Sequence, residues 1–145
     1  MLSLAISDTK KFMSHLFKES TFDHFAFRTG ELHSFCNFDI SAPKGDNKPL
    51  WLTIKPYFLS IIKGNATPSS IKIVLNLPPD EAIKLDENGD FFLNIYFSLG
   101  KLHITTGTST KTFSLDRSMG GIWDDHVRDF LSRAGIVFAE VYDED

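Results

Sequence analysis

The sequence predicts an α+β fold, in which a mainly antiparallel sheet packs with about three helices in one domain over residues 1–145. Several short runs alternate apolar and polar residues, which is the period of a strand with one buried face. Other segments repeat their apolar residues at helical spacing. Successive strand-like runs mostly lie close enough along the chain to pair antiparallel.

Size and composition agree with one folded domain. The chain has 145 residues, of which 42% are hydrophobic, enough for one core and too few for two full domains. Phenylalanine occurs 14 times. The core is therefore expected to be rich in large aromatic side chains.

The chain is predicted to begin with a strand and an amphipathic helix. Residues 2–6 alternate as a short strand, and Ser7 or Asp8 is placed to cap a helix that ends near Lys18. The apolar stripe of this helix consists of Phe12, Met13, Leu16 and Phe17. A hairpin should follow, because residues 22–29 and 32–40 are both rich in strand-forming residues.

The turn of that hairpin is predicted at Thr29-Gly30-Glu31, where glycine would supply the unusual backbone angle. In the second run Phe35 falls on the face opposite Leu32, so an exposed Phe35 is expected. The polar stretch 41–49 is predicted to be a surface loop.

A second helix is predicted from residue 51 or 56 to residue 63. Pro56 suits a first helical turn and Gly64 suits a helix end. Because its apolar residues spread around most of the circumference, this helix is expected to be largely buried. Residues 71–77 then alternate as a strand, and residues 80–85 form a short acidic helix or turn.

Residues 91–98 and 101–107 predict a hairpin with its turn at Leu99-Gly100. The core face would carry the pairs Phe97–Leu102, Ile95–Ile104 and Leu93–Thr106. The other face would carry the pairs Tyr96–His103 and Asn94–Thr105.

The last quarter of the chain is expected to contain a strand at 111–115, a helix at 118–134 and a strand at 136–141. Residues 142–145 should form a frayed acidic tail. The predicted order is therefore β-α-β-β-α-β-β-β-β-α-β.

The charge balance and the single cysteine restrict the function. The net charge of −4 and the pI near 5.7 argue against a protein whose whole surface grips nucleic acid. Cys36 alone allows neither an intramolecular disulfide nor a cysteine-based zinc site, which fits a reducing compartment. With no signal peptide or membrane-length apolar run, a soluble cytoplasmic protein is expected.

No motif for catalysis, a cofactor or a metal is predicted. Residues 107–112 end like a phosphate-binding loop but lack its glycines and its following helix. Asp86, Asn88 and Asp90 have the spacing of calcium ligands, but Phe91 and Phe97 stand where that loop needs a glycine and an acid.

The candidate binding residues lie on two elements. Lys10, Lys11 and Lys18 share the polar face of the first helix. Tyr96 and His103 form a polar pair on one face of the hairpin, where they would bind a ligand if no helix covers them.

The chain resembles a small family of bacterial proteins of unknown function over nearly its whole length. The segments that carry the resemblance are Phe12-Met13, Thr21-Phe22-Asp23, residues 62–68, residues 105–109 and residues 111–116. The resemblance implies a bacterial, cytoplasmic, single-domain protein and brings no catalytic residue with it.

The strand and helix order is also similar to one domain of a DNA sliding clamp, with the hairpin-plus-strand motif at residues 100–104 and 113–115. The resemblance implies that basic residues of two helices face DNA. These residues would be Lys10, Lys11, Lys18, Lys55 and Lys63. The apolar second helix and the additional C-terminal helix and strand depart from that pattern.

Three functions remain open at this stage. The first is a non-enzymatic binding or assembly module whose partner is a protein, a second copy or nucleic acid. The second is a structural subunit with an apolar patch around Phe22 and Phe35. The third is a small enzyme or ligand-binding protein with Asn94, Tyr96 and His103 in its site.

Overall fold

The computed structural model describes residues 1–45, 47–62, 68–114 and 118–142. Within these ranges the chain forms seven strands and four helices around one sheet. In chain order they are β1 (Ser3–Ile6), α1 (Thr9–Phe17), β2 (Ala26–His33), β3 (Asn37–Ser41), α2 (Trp51–Ile62), β4 (Ser70–Asn76), α3 (Pro79–Leu85), β5 (Gly89–Ser98), β6 (Lys101–Thr110), α4 (Ser118–Arg133) and β7 (Phe138–Glu140). The predicted α+β class is confirmed.

The sheet has the strand order β3-β2-β4-β5-β6-β1-β7, and every neighbouring pair is antiparallel. The first strand of the chain therefore lies inside the sheet, between β6 and β7. This position ties both ends of the described chain to the same edge region.

The helices cover one face of the sheet. The Trp123 ring of α4 lies 5.5 Å from the Phe91 ring, and Phe58 of α2 lies over Gly30. Gly30 is in register with Ile95 through β4, and Ile95 and Phe91 share one face of β5. Helix α1 contacts α2, and α3 contacts α4, so they lie on that side too. The opposite face carries no helix of the described chain.

The core is aromatic, as predicted. The largest fully buried side chains include two tryptophans and six phenylalanines. They are Trp51, Trp123, Phe12, Phe22, Phe25, Phe27, Phe58 and Phe91. Both indole N–H groups are satisfied, because Trp51 donates to the Leu16 carbonyl at 2.7 Å and Trp123 to the Phe92 carbonyl at 3.0 Å.

The prediction of a turn at Gly30 was wrong. Strand β2 runs through this position, and the chain reverses after His33, where the Ser34 N–H donates to the Cys36 carbonyl at 3.0 Å. A Cβ atom on Gly30 would lie 2.6 Å from Cζ of Phe58. Glycine is therefore needed for the close approach of a helix side chain and not for a turn.

The second helix begins at Trp51, which places Pro56 in its interior, and it is not largely buried. Only Trp51 and Phe58 are buried, whereas Tyr57 is 65% exposed. Pro56 is tolerated because the carbonyl that it leaves without a helical partner belongs to the exposed Leu52. The predicted helix end at residues 63 and 64 lies outside the described residues.

The extra strand predicted at 111–115 was also wrong in the part that the structure describes. Strand β6 extends to Thr110, and Lys111 and Thr112 then form a bend. The Asn88 side chain holds this bend by accepting from the Thr112 N–H at 2.8 Å and donating to its carbonyl at 3.0 Å. Leu115 and residues 143–145 of the predicted tail lie outside the described residues.

The register of the central hairpin was predicted correctly, although β5 begins two residues earlier and β6 ends three residues later than expected. β5 and β6 pair with the expected partners on both faces, from Phe97–Leu102 to Leu93–Thr106. Leu99 and Gly100 have positive φ values of 54° and 75°, as a two-residue type I′ hairpin turn requires. The short segment before β5 is a helix, α3, which brings the total to four helices.

Candidate functional site

An apolar groove lies between α1, α2 and the turn end of the central strands. Its volume is about 480 Å³. The groove is lined by Thr9, Lys10, Met13, Ser14, Phe17, Lys18, Leu59, Ile62, Pro68, Ile71, Phe97 and Gly100. A concave, mostly apolar surface with a few charged groups is typical of a binding site.

The spacing of the apolar residues explains how the groove forms. Met13 and Phe17 lie one helical turn apart on α1, and Leu59 and Ile62 do so on α2. Between the helices, the groove reaches the sheet at Phe97, a partly buried residue. Two helices and one strand pair therefore contribute neighbouring apolar side chains to one surface.

Two lysines flank the groove. Lys10 and Lys18 are exposed and contribute to its lining. They lie about 12 Å apart along α1 at 1.5 Å per residue. Within the described part of the chain neither ammonium group has an ion pair or a hydrogen bond. Both charges are thus available to an acidic partner.

The other lysines expected on this side are engaged elsewhere. Lys11 lies at the opposite side of α1, where its Nζ donates to the Gly135 carbonyl at 3.2 Å. Lys55 forms a largely buried ion pair with Asp23 at 2.5 Å and also donates to the Glu19 carbonyl. Lys63 lies outside the described residues. The two-helix basic surface of a clamp is therefore reduced to Lys10 and Lys18.

Tyr96 and His103 are neighbours, as their register predicts, but they lie on the face of the sheet without helices. Tyr96 is 45% exposed, and His103 is half-buried. The groove lies on the helix-covered face, so the two sets of predicted residues do not form one site. Phe22 is fully buried, which removes it from the predicted apolar patch, whereas Phe35 is 64% exposed as expected.

One group of described residues has the donor atoms for a metal ion. Ligand atoms of Glu31, His33 and Asp39 all lie within 4.8 Å of one another on β2 and β3. Glu31 and Asp39 are exposed, and Lys72 is the register partner of Glu31 on β4. This arrangement also suits a solvated charged surface.

Two features were not predicted from the sequence. The groove residues Leu59 and Ile62 were assigned to a buried helix, although the wide apolar circumference of α2 was the signal for a second contact surface. The second feature is a polar cleft that contains Asn76 and Asp90. The signal there was an asparagine at the end of a strand that is otherwise rich in buried apolar residues.

Among the described residues, two side chains have shifted pKa values, and they form a structural link. The Arg128 Nε donates to Glu140 at 2.7 Å and thereby lowers the pKa of the Glu140 carboxyl. The same hydrogen bond raises the pKa of Arg128. The pair joins α4 to β7 and lies in neither the groove nor the polar cleft.

A protein-family model matches most of the chain. The family model DUF5721, described as a family of unknown function, matches residues 15–139. The chain belongs to this family. No curated protein and no solved structure matches the chain. Among the described helices, none combines the length and the apolar character that a membrane crossing needs.

Proposed function

We propose that this family member is a non-enzymatic binding module whose groove holds a short, amphipathic, acidic segment of a partner protein. The observation that carries the proposal is one concavity that combines an apolar floor with the ammonium groups of Lys10 and Lys18, which have no partner within the described chain. Helix-in-groove recognition uses this combination of apolar burial and charge selection.

The apolar floor would supply most of the affinity. Leu59, Ile62 and Phe97 are only partly buried in the free chain. Covering such surface is favourable by about 25 cal/mol per Å². An amphipathic helix with apolar residues three and four apart would cover the floor with one face.

The lysines would select the partner by charge. Their separation of about 12 Å along α1 suits carboxylates about two helical turns apart on the bound segment. The chain as a whole carries a net charge of −4. Acidic partners would therefore be repelled from most of the surface and attracted at the groove.

Nucleic acid is the weaker fit for the same surface. Lys11 and Lys55 are held by protein groups, which leaves few cations for a phosphate backbone. We also propose a bacterial origin and a cytoplasmic location. The single cysteine, Cys36, supports the location, because it fits a reducing compartment.

The alternative is a ligand-binding protein or small enzyme that uses the open sheet face. Tyr96 and His103 lie side by side there, and Tyr96 is exposed. A metabolite that raises the melting temperature of the chain, but not that of a His103→Ala variant, would favour this alternative.

The proposal is tested by peptide display against the full chain. We expect enriched peptides to carry apolar residues three and four apart together with Asp or Glu. A Lys10→Glu/Lys18→Glu variant should bind those peptides at least about tenfold more weakly. Exchanging the acids of the peptide for lysines should restore binding to this variant.

A Lys72→Glu/Lys101→Glu variant is the matched control. It changes the net charge equally, and both side chains are exposed outside the groove. This control should bind the selected peptides as the original chain does. No enrichment of acidic amphipathic peptides, or equal loss in both double variants, would contradict the proposal.

A further inference from the structure

A polar cleft lies at the opposite end of the central strands from the groove. Two adjoining cavities of about 310 and 360 Å³ share Lys48, Asn76 and Asp90 in their walls. The first cavity also contacts Ser109, Thr110 and Lys111, and the second contacts Arg28, Thr29 and Lys44. The cleft does not overlap with the groove of the proposed function.

Asn76 is the unusual residue of this cleft. It is only 5% exposed, and it stands on a strand whose other residues from Ile73 to Leu75 are buried and apolar. Its Nδ2 donates to the Asp90 carboxylate at 3.0 Å, but its Oδ1 has no hydrogen-bond partner among the described residues. A buried acceptor without a donor is unfavourable in the free protein, and a bound donor would relieve it.

Charge around Asn76 favours an anion. Among the described residues, four bases and one acid line the two cavities, a formal excess of three positive charges, whereas the whole chain has a net charge of −4. The basic residues are Arg28, Lys44, Lys48 and Lys111.

Internal contacts position two of these cations. Lys48 donates to the Gly45 carbonyl at 2.6 Å, which fixes its ammonium group at the cleft. The Arg28 guanidinium lies 5.2 Å from the centre of the Phe92 ring. Pre-positioned cations lose less conformational entropy when an anion binds.

We propose that this cleft binds a small anion whose body carries hydroxyl or amino donors. The phosphate or carboxylate group would lie among the lysines and Arg28, and the donors would face Asp90 and the unpartnered oxygen of Asn76. Two cavities of this size hold a molecule as large as a sugar phosphate.

Titration calorimetry on the full chain tests the proposal with four probes: ribose 5-phosphate, gluconate, ribose and inorganic phosphate. We expect saturable binding of ribose 5-phosphate or gluconate, and the preferred one identifies the anionic group. Ribose and inorganic phosphate should bind at least about tenfold more weakly, because each supplies only one half of the recognition.

Matched variants locate the binding. Lys48→Ala and Lys111→Ala should each weaken the preferred probe about tenfold, whereas Lys72→Ala, an exposed lysine outside the cleft, should leave binding unchanged. Asn76→Leu should weaken binding, because it removes the oxygen that a donor of the bound molecule would meet.

Two results would overturn the proposal. One is the absence of saturable binding by both sugar anions at millimolar concentrations. The other is equal binding by the Lys48→Ala, Lys111→Ala and Lys72→Ala variants.

Discussion

The two ends of the central strands β4 and β5 differ in chemistry although they belong to the same sheet. At the turn end, Ile71 and Phe97 pair and face the apolar groove. At the other end, about 17 Å away at 3.3 Å per residue, Asn76 pairs with Phe92 beside the polar cleft. Neighbouring strands can therefore support an apolar contact surface and a polar one without a second domain.

The difference also concerns how each end is stabilised. The groove end rests on aromatic packing, in which Phe17 of the groove contacts Trp51 at 5.7 Å and Trp51 contacts Phe58 at 5.5 Å between ring centres. The cleft end rests on hydrogen bonds, chiefly those that Asn88 and Asn76 make. Loss of a buried aromatic side chain lowers the free energy of unfolding more than loss of a few neutral hydrogen bonds does.

The largest expected effect is at the groove end. Phe58→Ala should lower the free energy of unfolding by about 3 to 5 kcal/mol, because the side chain is fully buried and its loss leaves a cavity. Urea unfolding followed by circular dichroism measures this change. Tyr57→Ala is the control, since Tyr57 is the exposed neighbour on the same helix. Similar losses in both variants would contradict the aromatic support of the groove.

A smaller effect is expected at the cleft end. Asn88→Ala removes the hydrogen bonds that hold Thr112 and should lower the free energy of unfolding by about 1 to 2 kcal/mol. Because Lys111 lies in the same bend, the variant should also weaken sugar-anion binding in calorimetry. Glu87→Ala, an exposed neighbour, is the control. Weaker peptide binding at the groove in the Asn88→Ala variant would show that the two ends are not independent.

The local parts of this fold were predictable from sequence. Alternation over residues 91–107 determined the register of the central hairpin, because each strand has one buried face. Gly30 shows where such reasoning stops. Its role depends on Phe58, which is remote in sequence, and a local pattern cannot distinguish a close approach from a turn.

The candidate sites were less predictable for the same reason. Lys10 and Lys18 were identified from helical spacing, but the groove beside them needs α2 and β5 to come together. Lys11 shares their helix face in sequence, yet Gly135 from the other end of the chain engages it. The binding role proposed for Asn76 depends on its contact with Asp90 and on the surrounding cations, which lie elsewhere in the sequence.

The smallest expected effect involves a link outside both ends, between Arg128 and Glu140. Because the hydrogen bond from Arg128 lowers the pKa of Glu140 in the folded chain, the pair stabilises the fold at a pH above 4.5, the ordinary pKa of a glutamate carboxyl. It is lost as the pH falls through the lower folded value, because protonation removes the charge that Arg128 binds. Thermal unfolding of the original chain and an Arg128→Met variant between pH 7 and about pH 3 measures this contribution.

The melting temperatures of the two proteins should converge at the acidic end of that range. Asp125 also pairs with Arg128, at 2.8 Å, but it is 80% exposed and contributes less to the convergence. Arg128→Met should leave peptide and sugar-anion binding unchanged at pH 7, because Arg128 and Glu140 line neither the groove nor the cleft. A parallel pH dependence in both proteins would assign the acid sensitivity to groups other than the Arg128–Glu140 pair.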